Sequence, residues 1–119
     1  MEDYTSSYTG PEVDAKLSQV MGFVTVSGST VTQSLTPNTF YSFGEVSSLT
    51  ITLGTPVSGI NNEYAFEFDS GSTATTLSIP SGVKGIDATK IKASKHYEVS
   101  IKYDAQTDKY YGLISEWGA

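Results

Sequence analysis

The chain has 119 residues, with seven lysines, no arginine, 13 Asp and Glu together, and a formal net charge of −6. That balance excludes a phosphate-backbone reader built on clustered Arg and Lys, so no nucleic-acid partner is expected. Cysteine is absent, which excludes disulfides and thiolate metal sites, and the length suits one domain with one core.

The N-terminal MEDYTSSYTG is polar and acidic, unlike the basic start and apolar run of a secretory signal. No stretch reaches the ~18 apolar residues that cross a bilayer, so the chain reads as soluble, with no membrane insertion. Residues 1–9 read as a flexible attachment arm whose sizeable apolar groups are Tyr4 and Tyr8. A helix is expected over 10–22. Thr9 and Glu12 fit a capping box, in which hydroxyl and carboxylate each satisfy an orphan backbone N–H. Pro11 suits the first turn, where its missing N–H costs nothing. Tyr8 and Val13 can form the hydrophobic staple, and Gly22 supplies the stop.

Val13, Leu17, Val20 and Val24 follow one another at spacings of four, three and four. That is a narrow seam rather than a broad amphipathic face. A helix of about 12 residues is marginal alone in water, so the seam must bury against something. It can pack on its own domain, or on the same helix from sister chains in a short parallel bundle. Its place ahead of a complete-looking sheet domain favours the bundle.

From Phe23 onward the pattern is of strands only, over 23–27, 30–35, 39–43, 47–53, 63–69, 74–79, 95–103 and 109–116. Turn chemistry separates them, in Ser27-Gly28-Ser29, Thr36-Pro37-Asn38, Gly54-Thr55-Pro56 and Ser70-Gly71-Ser72. Leu49, Ile51 and Leu53 share one face, with Thr50 and Thr52 on the other; Tyr64, Phe66 and Phe68 oppose Glu63, Ala65 and Glu67. Period-two alternation gives strands one buried and one wet face, read here as antiparallel. The expected fold is mainly β: a two-sheet antiparallel sandwich, jelly-roll-like with about eight strands, over 23–119 after one short N-terminal helix. The long break at 82–93 reads as a surface excursion carrying Lys84, Lys90 and Lys92.

Little in the sequence suggests catalysis. His96 is the single histidine, and alternation with Tyr97, Val99 and Ile101 puts it on the wet face with Glu98 and Ser100. It reads as a solvent-facing or satisfied structural histidine rather than a general base. No G-x-S-x-G occurs, and nothing points to the partners of a Ser/His/Asp triad. Glu63 and Glu67 share the face opposite the aromatic residues, where edge charges against aggregation explain them better than a glycosidase pair. Asp104 and Asp108 lack the further ligands and the glycine of a calcium loop and read as a solvated turn. Asn61, Asn62 and Asp87 have the same reading. The expectation is a chain that is not an enzyme, with no catalytic or metal residues and no cofactor.

Tyr110, Tyr111 and Trp117 are the candidates for glycan contact, because aromatic faces stack on sugars. The competing reading puts them in the core face of the last strand or at a subunit interface, since alternation buries at least one of the adjacent tyrosines.

The strings LTPNTFYSFGEVSSLTITLG (35–54) and NEYAFEFDSGSTATTLSIPSGVKGID (62–87), with Lys95-His96-Tyr97-Glu98-Val99-Ser100-Ile101 as a late strand, resemble a small β-domain at the C-terminal end of phage structural proteins. The likeness covers about 30–117. Separately, Tyr8-Thr9-Gly10-Pro11-Glu12-Val13-Asp14 resembles the "YTG-x-E-[IV]-D" helix that opens phage fibre and head-fibre segments. Where the family carries an aromatic residue after Val83-Lys84, this chain has Gly85, so no role is carried over there.

The resemblance implies a virion part with no catalytic residues to transfer. A chain of this length beginning at Met1 suits a head decoration or head-fibre subunit, made in the bacterial host cytoplasm and located in the virion. The expected partners are sister chains in a homotrimer, joined through Val13, Leu17, Val20 and Val24, and a capsid or other virion protein met by Tyr4 and Tyr8. The alternative is a tail-fibre or baseplate module binding a host-surface glycan.

Overall fold

Residues 21–118 are described by the structure, a computed structural model. The arm and almost all of the expected helix, with Tyr4, Tyr8, Val13, Leu17 and Val20, lie outside the described residues. The described residues form nine strands: β1 (Gly22–Thr25), β2 (Thr30–Leu35), β3 (Thr39–Glu45), β4 (Ser48–Leu53), β5 (Asn62–Asp69), β6 (Thr76–Ser78), β7 (Val83–Lys84), β8 (Lys95–Asp104) and β9 (Lys109–Gly118). One 3-10 turn, Ala88–Lys90, lies between β7 and β8. The mainly β composition and most strand positions agree with the alternation pattern.

The topology does not agree with an antiparallel jelly roll. A six-stranded sheet has the order β1-β3-β5-β8-β9-β7, and a three-stranded sheet has the order β2-β4-β6. The smaller sheet is parallel throughout, as are the β1–β3 and β3–β5 pairs. Antiparallel pairing is confined to β5–β8 and β8–β9.

The physical reason is plain. Period-two alternation reports that one face of a strand is buried; it carries no information about the direction of the neighbour. Parallel strands need a crossover, usually a helix that buries the sheet's second face. Here the crossover is a strand of the opposite sheet, so β1 to β6 wind alternately through the two layers and every strand keeps one wet face. The run 47–80 is therefore not a meander: β4 and β6 pair side by side, while β5 lies in the other layer.

The corners between layers hydrogen-bond from one winding to the next. Val26 N donates to Ser42 O at 2.9 Å, Val46 N to Asp69 O at 3.1 Å, Ser48 N to Ser29 O at 3.1 Å, and Thr76 N to Ser47 O at 2.9 Å. Asn38 holds the 36–38 corner with a left-handed φ of 61°, a conformation Asn tolerates. Its carboxamide oxygen accepts from Glu63 N at 3.1 Å.

Between the layers, Tyr41, Phe43, Tyr64, Phe66, Phe68, Tyr97, Val99 and Ile101 meet Val31, Leu35, Leu49, Ile51 and Leu77 in one buried cluster. Each such side chain contributes about 1.5–3 kcal/mol by leaving water. Tyr64 also donates its hydroxyl to Gly54 O at 2.7 Å. Burial first, then the neighbouring Tyr110 and Tyr103, pushes its pKa up to about 12.

The segment 82–93 is more than a surface excursion. Val83, Ile86, Ala88 and Ile91 pack on the core, β7 adds a sixth strand beside β9, and Lys92 N donates to the Tyr97 hydroxyl at 2.7 Å. Gly85 makes this closure possible. Its φ is +97°, and a Cβ there would stand 2.5 Å from Gly112 O, so no larger residue fits.

Candidate functional site

The outward face of the six-stranded sheet carries the chemistry, and strand register sets its layout. Phe23, Phe40, Ala65, Ser100 and Leu113 are successive partners across β1, β3, β5, β8 and β9. They form one row about 19 Å long, at roughly 4.8 Å per strand. Phe23 and Leu113 at its ends are 66% and 75% exposed. The Phe23 and Phe40 rings stack with centroids 5.9 Å apart. Met21, the first described residue, lines a groove on this face with Phe40, Ala65 and Leu113.

The next row, two residues along each strand, is polar: Thr25, Ser42, Glu67, Glu98 and Ser115. Beyond it stand Asp69, His96 and Trp117. Here three carboxylates converge on the one imidazole. His96 Nδ1 is 2.8 Å from Asp69 Oδ1, and Nε2 is 3.4 Å from both Glu67 Oε1 and Glu98 Oε2. Ser42 Oγ donates to the other Glu67 oxygen at 2.8 Å. The reading of His96 as an outward, satisfied side chain therefore agrees with the geometry. Alternation places Glu98 on the same face; the approach of Glu67 and Asp69 from the neighbouring strand is the part sequence reasoning missed.

Partial burial pulls the His96 imidazole towards its neutral form. The hydrogen bond and charge of Asp69, with Glu98 and Glu67, outweigh that and raise its pKa above the ordinary 6.5. A pKa raised on folding gives stability that is complete below the unfolded value and is lost as pH rises through the folded one. In metal-free buffer, the stability advantage of the wild type over His96→Gln should therefore shrink as pH climbs from below 6.5. Urea unfolding across that range measures it, and a gap that stays constant would contradict the account.

The remaining candidates separate by face. Tyr110 turns towards the core, its ring tilted against Tyr103 at 4.9 Å and Tyr64 at 6.2 Å. Tyr111 and Trp117 point outward, 41% and 55% exposed. They stand six residues apart on β9, about 20 Å, so they do not form one platform. Val24 lies on β1 beside Tyr41; as part of a strand it does not continue the helical seam.

Asp104 and Asp108 are used within their turn. Asp104 Oδ1 accepts from Gln106 N at 3.0 Å, and Asp108 Oδ1 accepts from the Tyr103 hydroxyl at 2.6 Å. Asp87 caps the 3-10 turn, and the Thr89 hydroxyl, then its N–H, hold the Asp87 carboxyl below its usual range. Asn62 differs from the solvated reading: it is buried with every amide atom in use.

The main concavities among the described residues are open grooves on the sheet faces and loops. Comparison with family models, curated proteins and solved structures returns no match.

Proposed function

We propose that the chain is a structural subunit of a bacteriophage particle, a head decoration or head-fibre protein that associates as a homotrimer and docks through its N-terminal arm. The assembly role rests on one observation, the large exposed apolar side chains Phe23 and Leu113 on the outer sheet face, with Phe40 stacked on Phe23. A solvated sheet face is normally polar, and large apolar side chains left exposed on one mark an interaction site. The row sits on a hydrogen-bonded sheet and borders an open groove rather than an enclosed cavity, which suits another protein face better than a small substrate. The likeness of 35–54 and 62–87 to phage structural proteins supplies the setting, and a capsid or other virion protein is the partner of the arm.

Size-exclusion chromatography with light scattering on the full chain should return the mass of three copies. A monomer at micromolar concentration would remove the assembly reading. Mass spectrometry of purified particles should find the chain as a stoichiometric component.

The second reading, a module that binds a host-surface glycan, is favoured by the outward Tyr111 and Trp117 on β9. It requires glycan-array binding that disappears in Trp117→Ala, and an array without signal would reject it.

A further inference from the structure

We propose that Glu67, His96 and Glu98 form a binding site for a divalent transition-metal ion of the zinc class, with Asp69 orienting the histidine. One nitrogen and two carboxylate oxygens, one from each residue, lie within 4.8 Å of one another. The ligands come from adjacent antiparallel strands, where Glu67 is paired with Glu98 and Asp69 with His96. Strand positions hold ligands with more precision than loops do.

The distances match the ion. Two ligand atoms each about 2.0–2.1 Å from a tetrahedral zinc stand roughly 3.4 Å apart. His96 Nε2 is 3.4 Å from each glutamate oxygen. The two glutamate oxygens lie within 4.8 Å of each other, a gap that the rotatable bonds of the two side chains can close to ligand spacing.

The orientation of the ring also fits. Asp69 Oδ1, 2.8 Å from Nδ1, takes the Nδ1 proton as a hydrogen bond. The Nε2 lone pair is then left facing Glu67 and Glu98. A carboxylate behind a metal-bound imidazole is the usual second layer of such a centre. Ser42 does the same for Glu67 by binding the oxygen that does not face His96.

A separate electrostatic observation points to a cation. Like charges directly opposite on neighbouring strands destabilise a sheet, and Glu67 opposes Glu98. Among the described residues, His96 is the cationic side chain within ion-pair distance of Glu67, Asp69 and Glu98. One imidazolium against three carboxylates leaves a net negative pocket. A dication reverses the sign of the Glu67–Glu98 interaction from repulsion to shared ligation. Imidazole and carboxylate together suit zinc and its first-row neighbours, and three protein ligands leave a fourth position for water.

Because His96 is the single histidine and cysteine is absent, the test is unambiguous. Isothermal titration of the full chain with zinc chloride should give one ion per chain. His96→Ala should abolish that binding. Asp69→Asn, which keeps all three ligands, should weaken it by about 10–100-fold. Two-bond proton–nitrogen NMR of the wild-type imidazole needs no variant. On adding zinc, the Nε2 signal should move to a metal-bound shift while Nδ1 stays protonated. Undiminished binding in His96→Ala, or an imidazole spectrum unchanged by saturating zinc, would overturn the site; full affinity in Asp69→Asn would overturn the orienting role.

Discussion

Exchanging Asn62 for alanine is expected to lower the unfolding free energy by about 2–4 kcal/mol, far more than a solvated turn residue would. Asn62 is 2% exposed at the start of β5. Its Nδ2 donates to Val57 O and Ile60 O at 3.0 Å each, and its Oδ1 accepts from Val57 N and Asn38 Nδ2, also at 3.0 Å. Alanine leaves three backbone groups and the Asn38 amide without these partners. Val57 and Ile60 are about half exposed, so water recovers part of the loss and the cost stays below the sum of four bonds. Asn61→Ala provides the internal comparison. Asn61 is exposed and makes one such bond, accepting from Ala105 N at 2.8 Å, so its loss should cost under about 1 kcal/mol. Urea titrations with a common m-value measure both. Equal midpoints for the two variants would show that the Asn62 amide does not hold the β4–β5 connection.

How far the sequence discloses the fold depends on which link is asked about. The faces of β5 and β8 are legible because burial is a local property: Tyr64, Phe66, Phe68, Tyr97, Val99 and Ile101 are all buried, each on the side alternation predicts. Strand direction is not legible, because parallel and antiparallel ladders impose the same period of two. In this chain, strands serving as crossovers make a parallel sheet with one wet face. The Phe43-Gly44-Glu45 stretch shows the same limit. Gly44 has a φ of 65° and sits where two residues of β3, Phe43 and Gly44, oppose one of β5, Phe68, between the pairs Ser42↔Glu67 and Glu45↔Asp69. A glycine in a strand pattern suggests a bulge, but which partner it faces is a property of the assembled sheet.

The candidate site divides in the same way. Glu67-x-Asp69 and His96-x-Glu98 each have the i, i+2 spacing that shares a strand face. Each is therefore recognisable alone as an outward polar pair. That the two pairs converge follows from the β5–β8 register, which joins positions 27 to 31 residues apart in the chain. A register one residue different would have turned the imidazole away from the glutamates. The apolar row is harder still. Phe40 and Leu113 are apolar residues on strands whose other faces pack on the core, Phe23 lies on a strand exposed on both faces, and each reads singly as unremarkable. Only the six-strand order places them in line.

That line carries the largest effect expected on assembly. Burying an exposed leucine or phenylalanine on association contributes about 1.5–3 kcal/mol per side chain. Removing both Leu113 and Phe23 in favour of glutamate should therefore weaken self-association by roughly a hundred- to ten-thousand-fold in Kd. Leu113→Glu is the cleaner single variant. Leu113 is 75% exposed in the monomer, so its loss should leave unfolding within about 0.5 kcal/mol of the wild type. Phe23→Glu also removes the stack on Phe40, worth about 0.5–1.5 kcal/mol to the fold. Light scattering across a concentration series separates the two consequences, since association and unfolding are read independently. If the double variant keeps the wild-type mass, the row is not the contact, and association falls to the seam of Val13, Leu17 and Val20. Val13→Asp then has to abolish it, because a carboxylate in a narrow helical seam has no partner to offset its desolvation. Loss in the face variants with retention in Val13→Asp places the contact on the sheet. Loss in both requires that seam and row belong to one continuous interface, for which Met21, seated on the row immediately after the seam, gives the connection.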